Sequence, residues 1–130
     1  MKKRGVLNSE MAAVVAQMGH GDTICIGDAG LPIPPETKRI DLAVTQGVPS
    51  FLTVTATVLQ ELCVEEVIVA QELTENREFY EKLQQLLPVK KITLVEHEEL
   101  KRRLSQTKAV IRTGEFTPYA NIILKSGVIF

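Results

Sequence analysis

The sequence predicts an α/β fold in which residues 1–130 form one domain, a three-layer α/β/α arrangement around a mixed, largely parallel sheet. Three observations carry this expectation. Short apolar runs of strand length, at residues 24–26, 67–70, 92–95 and 109–111, alternate with segments of helical period. The run at 67–70 is apolar at every position, as a strand covered on both faces is. The closing segments, 122–124 and 128–130, are separated by Ser126-Gly127 and read as a strand pair, which makes the sheet mixed.

Each element has its own signal. Asn8 or Ser9 caps a helix in which Met11, Val14, Val15 and Met18 recur at i, i+3, i+4 and i+7, with Gly19 as a left-handed stop. Residues 24–26 then form a strand core. The loop at 27–38 carries Pro32, Pro34 and Pro35, whose fixed φ stiffens it. Ile40, Leu42 and Val44 alternate with polar or small residues as a half-buried strand does, and Gly47-Val48-Pro49 ends the run. Ser50 caps the next segment, where Phe51, Val54, Val58 and Leu62 keep a helical period although the valines and threonines favour strand. Period and cap decide for helix. Residues 76–87 form the clearest helix, with Phe79, Leu83, Leu86 and Leu87 on one face and Pro88 as the stop. The strand at 92–95 delivers Glu96 and His97 at its carboxyl end, and Glu98 and Glu99 suit the positive end of a helix reaching about residue 105.

Composition narrows the function classes. Fifteen basic and sixteen acidic residues are interspersed and leave a net charge of −1, which argues against a nucleic-acid partner. No stretch approaches the ~20 apolar residues of a membrane span, so no membrane partner is expected. The start Met1-Lys2-Lys3-Arg4 imitates a signal peptide, but Asn8, Ser9 and Glu10 break the apolar run, which places the protein in the cytoplasm. Cys25 and Cys63 lie in apolar surroundings and read as buried thiols of a reducing compartment.

The stretch from Gly19 to Gly30 sets His20, Asp22 and Asp28 among four glycines around one strand, and reads as the active site. The alternative is that His20 is a helix-terminal residue satisfied by backbone and Asp28 caps the next turn. Dinucleotide and P-loop fingerprints fail: Ile24 stands where the first needs glycine, and no Gly-Lys-Ser/Thr occurs. Cys25, inside an apolar strand, lacks the electropositive setting of a nucleophile. His20, Asp22, Asp28 and His97 match no metal-ligand spacing, so neither metal nor cofactor is expected. What remains is acid/base chemistry: an imidazole that accepts and donates a proton near neutral pH, with carboxylate, amide and phenol groups to hold the hydroxyls of a neutral polyol. Tyr119 and Asn121 add a flat face and an amide to that inventory.

Gly19-His20-Gly21-Asp22, Gly27-Asp28-Ala29-Gly30-Leu31-Pro32 and Tyr119-Ala120-Asn121-Ile122 together resemble the D-ribose pyranase and L-fucose mutarotase family over the whole length of the chain. The resemblance implies an isomerase that interconverts the pyranose and furanose forms of free D-ribose without a cofactor. It implies His20 as proton donor, with Asp28, His97, Tyr119, Ala120 and Asn121 binding the sugar. It also implies a ring-type homo-oligomer, a decamer, whose sites lie at subunit boundaries, so that the Tyr119 segment serves its own or a neighbour's pocket. A non-catalytic protein that binds one ring form of a pentose is the alternative left open by the residues.

Overall fold

The computed structural model describes residues 1–130. Six strands form one sheet: β1 (Thr23–Gly27), β2 (Arg39–Asp41), β3 (Val64–Ala70), β4 (Ile92–Val95), β5 (Val110–Arg112) and β6 (Ile122–Ser126). Their spatial order is β2-β5-β1-β6-β3-β4. The β1–β5, β2–β5 and β3–β4 pairs are parallel, whereas β6 runs antiparallel to both β1 and β3. Five strands therefore point one way and β6 alone is reversed. The fold is α/β with a mixed, largely parallel sheet, and the antiparallel part arises differently from the sequence expectation. Residues 128–130 form no strand, and Val128, Ile129 and Phe130 are exposed. The mixed character comes instead from β6 threading between two parallel strands.

The alternation of side chains along β1 explains the three layers. Ile24 and Ile26 join a 20-residue core on one face, packed under the helices α1 (Ser9–Gln17), α2 (Phe51–Leu59) and α3 (Arg77–Leu86). Cys25 points the other way, into an eight-residue core closed by Leu100 of α4 (His97–Arg103) and by Leu104. Because both faces are covered, the central strands are apolar at successive positions. Phe51 is fully buried and meets Phe79 at a centroid distance of 5.8 Å, joining α2 to α3. Burying a side chain of that size contributes about 1.5–3 kcal/mol.

Two helix starts follow the predicted caps, and a third is capped by Asn76, which the sequence reading placed inside its helix. The Asn8 side chain accepts from Met11 N–H, Ser50 from Thr53 N–H, and Asn76 from Phe79 N–H. Other local expectations are corrected. Gly19 is not the left-handed residue after α1; Met18 ends the helix in an extended conformation and Gly21 takes the positive φ of 84°. The strand expected at 40–44 stops at Asp41, whose carboxylate accepts from Ala43 N–H and turns the chain, leaving Val44 exposed. Helix α2 ends at Leu59 rather than 62, although Leu62 still packs in the core. Cys25 is fully buried, but Cys63 is half-buried and its Sγ–H donates to Val128 O at 3.4 Å. No helix is long and apolar enough to cross a membrane.

Candidate active site

The carboxyl ends of the five parallel strands meet along one edge of the sheet, the edge where open α/β sheets bind ligands. Asp28 follows β1 there, His97 follows β4, and Asn121 precedes the reversed β6. Asp28 and Asn121 are joined twice. Asp28 N–H donates to Asn121 Oδ1 at 2.9 Å, and Asn121 Nδ2 donates to Asp28 Oδ2 at 3.0 Å. The other Asp28 oxygen accepts from Gly30 N–H at 2.9 Å. The orientation of this half-buried carboxylate is thus set from two sides. Gly27 makes the arrangement possible, since a Cβ on it would stand 2.9 Å from Asn121 Oδ1 and 2.5 Å from Leu31 Cδ2.

His97 and Tyr119 form a second pair at the same edge of the sheet. Their rings meet edge to face, with centroids 5.1 Å apart at 78°. His97 N–H donates to both Glu72 oxygens, at 3.1 and 3.0 Å, which ties the start of α4 to the turn after β3. The ring Nδ1 is buried and has no hydrogen-bond partner. Such an atom is incomplete without a ligand or water. Tyr119 has φ 63°, a left-handed conformation uncommon outside glycine. Strain of this kind, of order 1–3 kcal/mol, concentrates at functional sites. Ala120 and Asn121 are fully buried, so Ala120 offers only backbone and the Asn121 side chain acts by fixing Asp28.

An open cleft of about 400 Å³ adjoins Asp28, lined also by Ala29, Gly30, Arg112, Glu115 and the segment 116–118. Sequence reasoning missed Arg112 and Glu115. The Arg112 Nε donates to Ala29 O at 2.9 Å, and one Nη donates to both Asp41 oxygens at 3.1 Å. Glu115 accepts from Phe51 N–H at 3.1 Å and from the Thr117 hydroxyl at 3.0 Å. Both charged groups are already engaged in holding the cleft's walls.

His20 lies elsewhere, and the reading of residues 19–30 as one continuous site is corrected here. It precedes β1 whereas Asp28 follows it, and five residues of strand rising ~3.3 Å each separate the two ends by about 17 Å. Asp22 stays with His20 and closes its turn by accepting from Gly19 N–H at 2.9 Å. That bond, helped by Lys108, holds the Asp22 carboxyl below its ordinary range. Gly21 N–H donates to Ser126 O and Ser126 N–H to Asp22 O, both at 2.8 Å, so the turn is stitched to the end of β6. The His20 side chain is 60% exposed, with Nε2 3.0 Å from Glu65 Oε2. One chain therefore carries an exposed imidazole at one edge of its sheet and polar groups at the other.

The strand order and the polar residues gathered at the carboxyl ends define a small α/β chain with a mixed sheet and a cleft at one sheet edge. The chain belongs to the RbsD / FucU transport protein family, whose model matches residues 1–129. It is 58% identical to the D-ribose pyranase of Clostridium novyi and 56% identical to that of Bacillus cytotoxicus, each over 131 residues and 100% of both chains. The structure of Bacillus subtilis RbsD complexed with D-ribose matches at a TM-score of 0.95 and 47% identity, covering 100% of each chain. A fucose mutarotase in complex with L-fucose from Streptococcus pneumoniae shares the fold at a TM-score of 0.73 and 23% identity, covering 95% of each chain.

Proposed function

We propose that this chain is a ribose pyranase, an isomerase that interconverts the pyranose and furanose forms of free D-ribose in the cytoplasm. The full-length identity to relatives named D-ribose pyranase supports the activity. The observation that carries the site is the Asp28–His97–Tyr119 cluster, with its oriented carboxylate and its unpartnered buried imidazole nitrogen. Those groups match a neutral sugar: the carboxylate accepts from hydroxyls, the imidazole nitrogen completes its bonding on another, and the tyrosine ring covers an apolar face.

Ring exchange needs only proton transfers. A base takes the proton of the anomeric hydroxyl and hands it to the ring oxygen as the C–O bond opens to the aldehyde; on closure another hydroxyl gives its proton to the base as it attacks the carbonyl, and the carbonyl oxygen takes that proton back. His20 performs the transfers, accepting in its neutral form and donating once protonated. No metal or cofactor enters this sequence. His20 and the Asp28 cluster are too far apart within one chain to hold the same pentose. The working site therefore joins the His20 edge of one copy to the Asp28 edge of a neighbour, which calls for a closed ring of head-to-tail contacts. The exposure of His20, Ile129 and Phe130 in the single chain supports such an assembly.

Magnetization-transfer NMR on free ribose tests the reading. Wild type accelerates exchange between ring forms, and His20→Ala and Asn121→Ala each remove most of that acceleration, while light scattering reports an assembly of several chains. Co-expressing the two variants recovers part of the rate, because some interfaces then combine an intact His20 with an intact cluster. Wild type that binds ribose without accelerating exchange would make the chain a binding protein instead, and failed recovery would return the site to a single subunit.

A further inference from the structure

We propose that Glu65 is the positioning residue of His20: its carboxylate fixes which ring nitrogen carries the proton and supports the imidazolium formed during ring exchange. The inference rests on the reading of His20 as the proton-transfer group. Two independent features of the fold point to it. One is a chain of contacts, His20 Nε2 to Glu65 Oε2 at 3.0 Å and Glu65 Oε1 to Lys125 Nζ at 3.1 Å, made by side chains from three separate segments.

The other is the backbone that presents Glu65. Between Val64 and Glu66 the register of β3 against β6 shifts: Val64 pairs with Ser126 and Glu66 with the adjacent Lys125, so Glu65 is the extra residue of a β-bulge. Strict alternation would turn Glu65 to the same face as Val67 and Val69, which belong to the main core. The bulge lets Val64 and Val67 both face that core and leaves Glu65 and Glu66 outside it. Glu66 pairs with Lys91. Bulges commonly re-aim a side chain beside an active site, and this one aims a carboxylate at His20.

The chemistry follows from the acceptor. Lys125 first, and His20 second, hold the Glu65 carboxyl below its ordinary range, with Lys91 a further cation on its flank. An ionised carboxylate only accepts, so Nε2 must donate and the neutral ring must keep its lone pair on Nδ1. Nδ1 is then the atom that takes the anomeric proton. When it does, the positive charge forms against a carboxylate already in place. A glutamine at 65 keeps the shape but presents either a carbonyl or an amino group to Nε2, so it no longer selects a tautomer.

The test uses the full-length protein with 15N-labelled histidine, at a pH where the rings are neutral, and His20→Ala tells the two histidine spectra apart. Wild type shows His20 protonated at Nε2, and Glu65→Gln shows a mixture. Exchange on ribose falls about 10-fold or more in E65Q, the lower end of what is lost when the carboxylate behind a metal-bound imidazole is removed, while KM holds because Glu65 touches no sugar. Lys125→Gln retains the Nε2–H form, since the carboxylate remains. Wild-type His20 protonated at Nδ1 would overturn the inference whatever the variants do. An unchanged rate in E65Q beside an inactive His20→Ala overturns it while leaving the proposed function standing, whereas a fully active His20→Ala removes both.

Discussion

Asn121 illustrates how much of this site depends on a residue that solvent never reaches. Its amide satisfies both the backbone N–H and one carboxylate oxygen of Asp28, and it is itself fully buried. Asn121→Ala leaves both Asp28 groups without that partner, and an orphaned polar group of this kind costs about 1–3 kcal/mol. Denaturant unfolding should show a loss of that size in the variant, together with the loss of ring exchange; unchanged stability would mean that water replaces the amide. His20 and Asp28 stand out in the sequence because glycines surround them, whereas the binding roles of His97, Tyr119 and Asn121 rest on the family resemblance. The groups that hold these side chains do not stand out. Glu65 lies 45 residues from His20, Glu72 lies 25 from His97, and Arg112 lies 71 from Asp41, and only the sheet brings each pair together. No spacing rule links residues across strands whose order is unknown.

At the scale of elements, periodicity located the helices and most strands, since capping and apolar spacing are local properties. It misjudged the end of the strand at 40–44, where the Asp41 carboxylate turns the chain, and the apolar run at 128–130, which forms no strand. The edge strand β2 is short and depends on an ion pair as well as on its ladder. Burial of Asp41 works against its ionisation, yet the Ala43 N–H, the Arg112 guanidinium and Arg39 outweigh it and hold its carboxyl below the ordinary range. A carboxyl with a depressed folded-state pKa contributes stability that is present above its unfolded value of ~3.9 and is lost as pH falls through the folded value. Asp41→Asn should therefore be less stable than wild type at pH 7, with the gap narrowing as pH falls below about 4 and closing at lower pH. The difference is modest, because the side chain is 44% exposed and solvent screens the pair. Urea melts across the acid range measure it, and a gap independent of pH would show that Asp41 acts through its turn rather than its charge. Asp22, Glu65, Glu98 and Glu99 are also depressed, so the variant keeps some acid sensitivity.

Across the whole molecule, the separation of His20 from Asp28 follows from a single fact, that β1 runs between them with its ends on opposite edges of the sheet. Sequence proximity made the two look like one site because a five-residue strand is short in the chain and long in space. The family resemblance implies sites at subunit boundaries, and the proposed assembly uses that implication to bring the two ends together. Substrate charge is decided on the same scale. The cleft beside Asp28 also carries Glu115, and its one cation, Arg112, has its Nε on Ala29 O and an Nη on Asp41. A phosphate dianion there would face carboxylates without the free, forked guanidinium that anion recognition uses. The chain should accelerate ring exchange of free ribose and act poorly on ribose 5-phosphate at equal concentration and pH. Equal acceleration of both sugars would mean that Arg112 leaves Asp41 to meet the phosphate. In that case Asp41→Asn would favour the phosphorylated sugar further, whereas with Arg112 held in place the variant would leave the preference for free ribose unchanged.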